Sequence, residues 1–131
     1  VCLHVTEPVG HEYPGKHYSD FRAIYSFVRD FPTLRILLSH MGGGLLFYEL
    51  MPEVKEAFVQ VRYDTAAVPF LYNADVYEKS IGIVGAGKII FGSDYPLLGI
   101  QRYQNDIESR LSLEDAAAVL GKNAECFING K

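Results

Sequence analysis

The sequence predicts an α/β fold built on a parallel sheet. Three observations carry that expectation. Short, continuous apolar runs recur at residues 1–5, 35–40, 59–63 and 88–91, the pattern of strands covered on both faces. Between them lie stretches with the 3–4 residue apolar spacing of amphipathic helices. The strand–loop–helix unit repeats four times at intervals of roughly 25–35 residues, as parallel βαβ units require.

Each element has a local reason. Residues 6–17 carry Pro8, Gly10, Pro14 and Gly15 and read as a loop. Ser19 or Asp20 caps a helix through Phe21, Ile24, Tyr25 and Val28, and Pro32 ends it. The second strand runs into Gly42-Gly43-Gly44. That triplet reads either as a flexible turn or as a place of close approach for backbone or substrate. A helical stretch follows over 45–50, and Pro52 interrupts or restarts it through Phe58. The third strand leads to Asp64-Thr65. Asp75, Val76, Ile81 and Val84 mark the next helix, closed by Gly85 and Gly87. Gly92 and Pro96 end the fourth strand. Helices are expected over 104–111, from Ser112 to Gly121 with Asp115 completing a capping box, and over 123–128. The alternation fits half of a (β/α)8 barrel, whose whole form needs about 250 residues, and fits a small open sheet equally.

Composition narrows the functional classes. The 131 residues suit one domain, residues 1–131, and 49% apolar against 21% charged content supports a packed core. A net charge of −4 without a basic stripe argues against nucleic acid. No apolar run approaches the ~18 residues of a membrane span. Cys2 and Cys126 form no disulfide framework; they read as reduced, buried, small hydrophobes, which fits a cytoplasmic setting. The chain opens inside a strand without an initiator Met, so the expectation is the C-terminal part of a longer protein.

In α/β folds the C-terminal ends of the strands face the ligand. His4, His40, Asp64 and Asp94 each sit at such an exit. Two histidines and two acids at equivalent exits suit a metal or proton-transfer site. Asp64 reads first as an ordinary cap through Thr65, and second as a support for His40 or a backbone N–H. His11, Tyr13, Lys16 and His17 share the loop above these exits, placed either to bind a substrate carboxylate or simply to be solvated. Arg62 is given no role.

Leu38-Ser39-His40-Met41-Gly42-Gly43-Gly44 and Phe91-Gly92-Ser93-Asp94-Tyr95-Pro96 resemble the sixth- and eighth-strand signatures of the amidohydrolase-related metal enzymes. The branch resembled includes aminocarboxymuconate-semialdehyde decarboxylase and the resorcylate decarboxylases. Residues 1–16 resemble that family's fifth-strand exit and following loop, and Gly121-Lys122-Asn123-Ala124 its closing segment. The resemblance implies the C-terminal half of a (β/α)8 barrel, about four βα units. It implies that His4 and Asp94 ligate a divalent metal, with zinc the expected ion. Asp94 would also move the proton of the metal's water, and His40 would stand beside that water as an acid/base group. Such an ion lowers the pKa of bound water toward ~7 and polarises a substrate oxygen.

The chain departs from the family's pattern in two respects: no His-x-His pair occurs in it, and counterparts of the family's first four strands are not in it. With two ligands where a site needs three or four, the chain alone is expected to bind metal weakly and to be a poor catalyst. Two long edge strands would stand open unless another copy, in a homo-oligomer, or the missing half covers them. The leading reading is a metal-dependent hydrolase acting on a small molecule. The alternative is a metal-dependent non-oxidative decarboxylase of a small carboxylic acid. From another class stands an inactive half-barrel used for binding or assembly. A phosphate or nucleotide site at Gly42–Gly44 ranks below these, because neither phosphate-loop motif is present.

Overall fold

In the computed structural model, residues 1–130 are described. Four parallel strands form one sheet in the order β1-β2-β3-β4: β1 Cys2–Leu3, β2 Ile36–Leu38, β3 Val61–Asp64 and β4 Ile89–Ile90. The register pairs Cys2 with Leu37 and Leu37 with Arg62, then Tyr63 with Ile89. Helices α1 Phe21–Asp30, α2 Pro52–Ala57, α3 Val68–Leu71, α4 Asp75–Val84, α5 Ile100–Arg110, α6 Leu113–Ala117 and α7 Asn123–Asn129 complete the fold.

Side chains alternate across each strand. Ile36, Leu38, Val61, Tyr63 and Ile89 point to the helical side and join one core with Val28, Val54, Tyr77, Tyr103, Ile107 and Val119. On the opposite face the register row Cys2, Leu37 and Arg62 is exposed or half-buried. Helices therefore cover one face of the sheet, as in a section of a barrel, whereas a doubly wound open sheet is covered on both.

The caps fall where the sequence places them. Asp20 accepts from the N–H groups of Arg22 (2.9 Å) and Ala23 (3.1 Å). Ser112 accepts from Asp115 N–H at 3.1 Å and donates to the Asp115 carboxylate at 2.8 Å. The strands are shorter than their apolar runs, and α5 begins four residues before the expected 104, at Ile100. The short helix α3 was not foreseen.

Three expectations are overturned. Cys2 and Cys126 are both exposed, not buried. Cys2 lies on the uncovered face; the partial cover it does have, chiefly, and the Asp64 charge push its thiol up. Cys126 lies on the terminal helix and lines a pocket of about 490 Å³ with Arg35, Arg62 and Asn123. Nor are the two edge strands long, and only β1 is left without an outer neighbour among the described residues. Each is two residues long, and the outer edge of β4 is bonded: Phe91 N–H donates to Val119 C=O (3.0 Å) and Asn123 Nδ2 to Ile89 C=O (2.8 Å).

A buried polar cluster ties the sheet to the helices. The fully buried Glu49 carboxylate accepts from Tyr63 OH at 2.7 Å and from Lys88 Nζ at 2.6 Å. Lys88 Nζ also donates to Phe58 C=O at 2.8 Å. Burial pushes the Tyr63 hydroxyl up, reinforced by Glu49, and pulls the Lys88 ammonium down against Glu49's support. No helix among the described residues is long and apolar enough to cross a membrane.

Candidate active site

Neighbouring strand exits are stitched together by one polar side chain after another. Ser39 Oγ donates to Leu3 C=O and accepts from Val5 N–H, both at 3.1 Å, joining β1 to β2. Asp64 Oδ1 accepts from His40 N–H (2.9 Å) and Ala66 N–H (3.0 Å), joining β2 to β3. Thr65 Oγ1 donates to Gly92 C=O (2.9 Å) and accepts from Gly92 N–H (3.0 Å), joining β3 to β4. Tyr103, buried below, donates to Ser93 C=O (2.6 Å) and accepts from Ala67 N–H (3.2 Å). Each stitch satisfies backbone groups that a strand leaves open where its ladder ends.

Both readings of Asp64 hold at once: it closes a local turn through Ala66 and also fixes His40. Burial is the main influence on its carboxyl and pushes it up. The two N–H groups and His40 act against burial, and the Asp94 charge adds to it.

After Ser39 the backbone enters the left-handed region for five residues, from His40 (φ 57°) through Met41, Gly42 and Gly43 to Gly44 (φ 92°). The glycine triplet is thus a place of close approach rather than a loose turn. A Cβ on Gly42 would lie 2.9 Å from the Tyr63 ring, and one on Gly43 2.8 Å from Thr6 C=O. His40 and Met41 adopt the same region at a cost of order 1–2 kcal/mol each, as residues at functional sites do when their surroundings hold them.

This geometry fixes the imidazoles. His40 Nδ1 lies 2.9 Å from Ala66 C=O, which only accepts, so Nδ1 carries a proton. In the neutral ring Nε2 is then an acceptor, and it faces His4 Nδ1 at 3.2 Å. The rings meet edge to face, 4.9 Å between centroids. With its Nδ1 proton donated to His40, His4 has the lone pair of Nε2 free. That is the nitrogen a metal-ligating histidine uses when its other nitrogen is oriented by a neighbour.

His4, His40, His11, Tyr13 and Asp94 line one cavity of about 410 Å³ together with Glu7, Phe70 and Leu97. Asp94 (φ 53°) is exposed at the strand exit rather than buried against the imidazoles. His4 is exposed as well, and His40 is buried. Lys16 is not among the lining side chains: its ammonium is held by Gly10 C=O and lies 5.2 Å above the Tyr18 ring. His11 sits at the rim, its Nε2 3.1 Å from Leu71 C=O.

Sequence reasoning passed over Glu7, a buried carboxylate in the cavity that accepts from Tyr72 OH at 3.0 Å. Burial, then Glu7, pushes the Tyr72 hydroxyl up. It also missed the roles of Ser39, Thr65 and Tyr103; for the first two, a polar residue directly after an apolar run was the available signal. Among the described residues no group of three or more His, Cys, Asp or Glu side chains is arranged to hold a metal ion. His4 and Asp94 suit a divalent ion in donor type but are only part of the set such an ion needs.

One sheet covered on one face by helices, with histidines and an acid at its strand exits, has the arrangement of a section of a (β/α)8 barrel. The chain belongs to the amidohydrolase family, which matches residues 3–128. No protein of curated function matches it. Among solved structures it is similar to 5-carboxyvanillate decarboxylase LigW from Sphingomonas paucimobilis, with 23% identity and a TM-score of 0.69. That match covers 83% of this chain and 38% of the other. A dihydroxybenzoic acid decarboxylase from Polaromonas sp. JS666, with bound manganese and 2-nitroresorcinol, gives 19% identity and a TM-score of 0.65. It covers 80% of this chain and 36% of its own. The 2,6-dihydroxybenzoate decarboxylase complexed with 2,6-dihydroxybenzoate gives 19% and 0.61, covering 76% and 36%. The chain thus spans little more than a third of the length of these structures, and the likeness establishes the shared fold.

Proposed function

We propose that this chain carries the C-terminal part of the active site of a metal-dependent, non-oxidative decarboxylase of a small carboxylic acid. The observation that carries the reading is the tautomer chain Ala66 C=O, His40, His4. It engages His4 through Nδ1 and leaves its Nε2 free, on a ring that lines the same cavity as Asp94. The sequence ranked hydrolysis first. The named activities of the three structural relatives favour decarboxylation instead.

His4 Nε2 and the Asp94 carboxylate would hold the ion together with ligands from outside this chain. When bound, a divalent ion anchors substrate oxygens and stabilises developing negative charge. Manganese is bound in one structural relative and supports that ion as a candidate beside zinc. Loss of CO2 leaves an electron pair on the substrate carbon, and a proton must reach it. Asp94, exposed at the mouth, would take that proton from solvent and pass it to the carbon. His40, fixed at Nδ1, exchanges protons only through Nε2. His11 and Tyr13 rim the cavity and meet the substrate. The two free, exposed cysteines support a reducing, cytoplasmic setting.

Calorimetric titration with Mn2+ and Zn2+, paired with CO2 release from hydroxybenzoates, tests the reading. The chain alone should bind either ion weakly. His4→Ala and Asp94→Ala should abolish that binding, and His40→Ala, which frees the His4 ring, should weaken it by about tenfold or more. Metal binding indifferent to His4 and Asp94 would overturn the assignment. Release of an amine or alcohol without CO2 would return hydrolysis to first place. The incomplete donor set favours one other reading, an inactive assembly module. That reading requires that no ion bind even when strands carrying further ligands are joined to the chain.

A further inference from the structure

The cavity walls carry two carboxylates, Glu7 and Asp94, and no lysine or arginine. Asp94 serves the ion and the proton. Glu7 has no task in that reaction, yet it is the better buried of the two, only 9% exposed.

Its position is fixed from both sides. Thr6, the residue before it, donates its N–H to Ser19 Oγ at 2.9 Å and its hydroxyl to His17 C=O. Glu7 Oε1 accepts from Tyr72 OH at 3.0 Å, at the C-terminal end of α3. His11 Nε2 reaches the same turn, 3.1 Å from Leu71 C=O. Glu7 therefore helps to pin the loop over 6–17 to α3.

The pin accounts for one oxygen only. Tyr72 brings a single neutral hydroxyl, whereas a carboxylate offers about four lone-pair sites. Among the described residues Oε2 has no hydrogen-bond partner and Glu7 no cationic one. Lys16, on the same loop, is turned to Gly10 C=O and the Tyr18 ring instead. A buried charge with one neutral partner is costly, and an amide would pin the loop without that cost. The surplus acceptor and the surplus charge belong to a residue that lines the cavity.

We propose that Glu7 recognises the substrate, its second oxygen accepting a hydrogen bond from a hydroxyl or protonated amine on the acid. Glu7 repels a carboxylate, so this donor is a substituent separate from the carboxyl group that is lost. Phe70, Leu71 and Leu97 supply an apolar wall for the body of the molecule. An analogue without the donor leaves the carboxylate buried and unpaired, which is where a polar site discriminates most strongly. The inference rests on the cavity being the substrate site proposed above, but on neither metal nor turnover.

NMR titration of the full, isotope-labelled chain at neutral pH without added metal tests it. The probes are phenol, anisole and benzylamine, followed through the amide shifts of Phe70, Leu71 and Leu97. Phenol or benzylamine should bind at least about fivefold more tightly than anisole, and the tighter of the two identifies the donor as hydroxyl or ammonium. In Glu7→Gln the amide oxygen still accepts from Tyr72, so the loop stays pinned, and the preference over anisole should fall to within about twofold. Tyr72→Phe removes the pin and leaves the carboxylate, so the preference should survive to within about threefold. Intermolecular NOEs from the tighter probe to the Tyr72 ring should place it beside Glu7 in the natural chain, whether or not the variants fold. The proposal is overturned by probes that shift none of these amides, by no preference over anisole, or by NOEs confined to His4 and His40. It is overturned equally if Tyr72→Phe loses as much preference as Glu7→Gln, since the pin alone would then be the role of Glu7. A chain that shows the preference yet releases no CO2 keeps this inference and loses the decarboxylase reading.

Discussion

Replacing Asp64 separates its charge from its hydrogen bonds. Its Oδ1 holds His40 N–H at 2.9 Å and Ala66 N–H at 3.0 Å, and Ala66 in turn accepts from His40 Nδ1. Asp64→Ala removes two bonds to a charged acceptor, worth about 1.5–3 kcal/mol each, and recovers the several-kcal/mol cost of burying a carboxylate only in part. A net loss of about 2–4 kcal/mol is expected. Asp64→Asn keeps an oxygen for both N–H groups and discards the charge, so a change within about 1 kcal/mol is expected at pH 7. The pH dependence has a definite sign. The folded carboxyl is raised above its ordinary value, chiefly by burial. The folded state therefore keeps a proton that the unfolded state has released, and stability falls as pH rises from about 3.9 through the folded value. Asp64→Asn abolishes that fall, so its advantage over the natural chain should grow across this window. Urea unfolding at pH 4, 5.5 and 7 reads all three effects. If Asp64→Ala costs less than about 0.5 kcal/mol, or if Asn proves as damaging as Ala, the stitch is not what holds the second strand exit.

Tyr103→Phe should cost about 1–3 kcal/mol and speed exchange of the Ala67 amide, because its hydroxyl joins Ser93 C=O to Ala67 N–H. Gly43→Ala should destabilise by more than Gly44→Ala in thermal melts. Both sit at positive φ, but a Cβ at Gly43 meets Thr6 C=O at 2.8 Å while the one at Gly44 meets open space. The conformational share common to both is about 1 kcal/mol, and an equal cost at the two positions would refute the contact. Stability should fall steeply above pH 10.5, the ordinary lysine value, where Lys88 no longer acts in the opposite sense. Tyr63, Tyr77 and Tyr103 are all raised by burial first, so their contribution is complete below about pH 10 and lost above it. Each contributes a slope of about 1.4 kcal/mol per pH unit, measurable in guanidinium titrations and absent if these hydroxyls ionise normally.

What the sequence revealed and what it hid follow one division. The strands were legible because Ile36, Leu38, Val61 and Ile89 must be dry, and dryness leaves an apolar run. His4, His40 and Asp94 were legible because a histidine or acid directly after such a run stands where a strand meets the ligand side, and the three do share a cavity. Lys16 stayed open between two readings for the converse reason: a loop's sequence does not say which way a long flexible side chain turns, and this one is held by its own loop. Cys2 was misjudged because the usual interior preference of Cys presumes a covered sheet, and it sits on the open face; Cys126 was misjudged because it lies on the exposed side of the terminal helix. The closed edge of β4 was hidden most deeply. It depends on a one-residue widening of the terminal helix at Ala118–Lys122, a change in hydrogen-bond register that leaves no mark in apolar periodicity.

The stitching also bears on why the site would be weak in this chain and yet correctly shaped. A metal site fails either because its ligands are scattered or because they are too few, and the two failures differ in cost. Scattered ligands must be ordered on binding, at about 0.5–1.5 kcal/mol for each immobilised side chain. Here Ser39, Asp64 and Thr65 hold the backbone at every exit, and the His40–His4 contact sets the ring that would face the ion. Little ordering remains to be done at His4. The deficit lies in ligand number, since two donors leave most of the coordination sphere to water. Affinity in the chain should therefore rise sharply once further donors are brought to the mouth, with no rearrangement at His4 or His40. The chemical shifts of the two imidazoles, compared with and without the added strands in the absence of metal, should coincide; a large difference would mean that the exits are shaped by the missing wall and not by their own stitches.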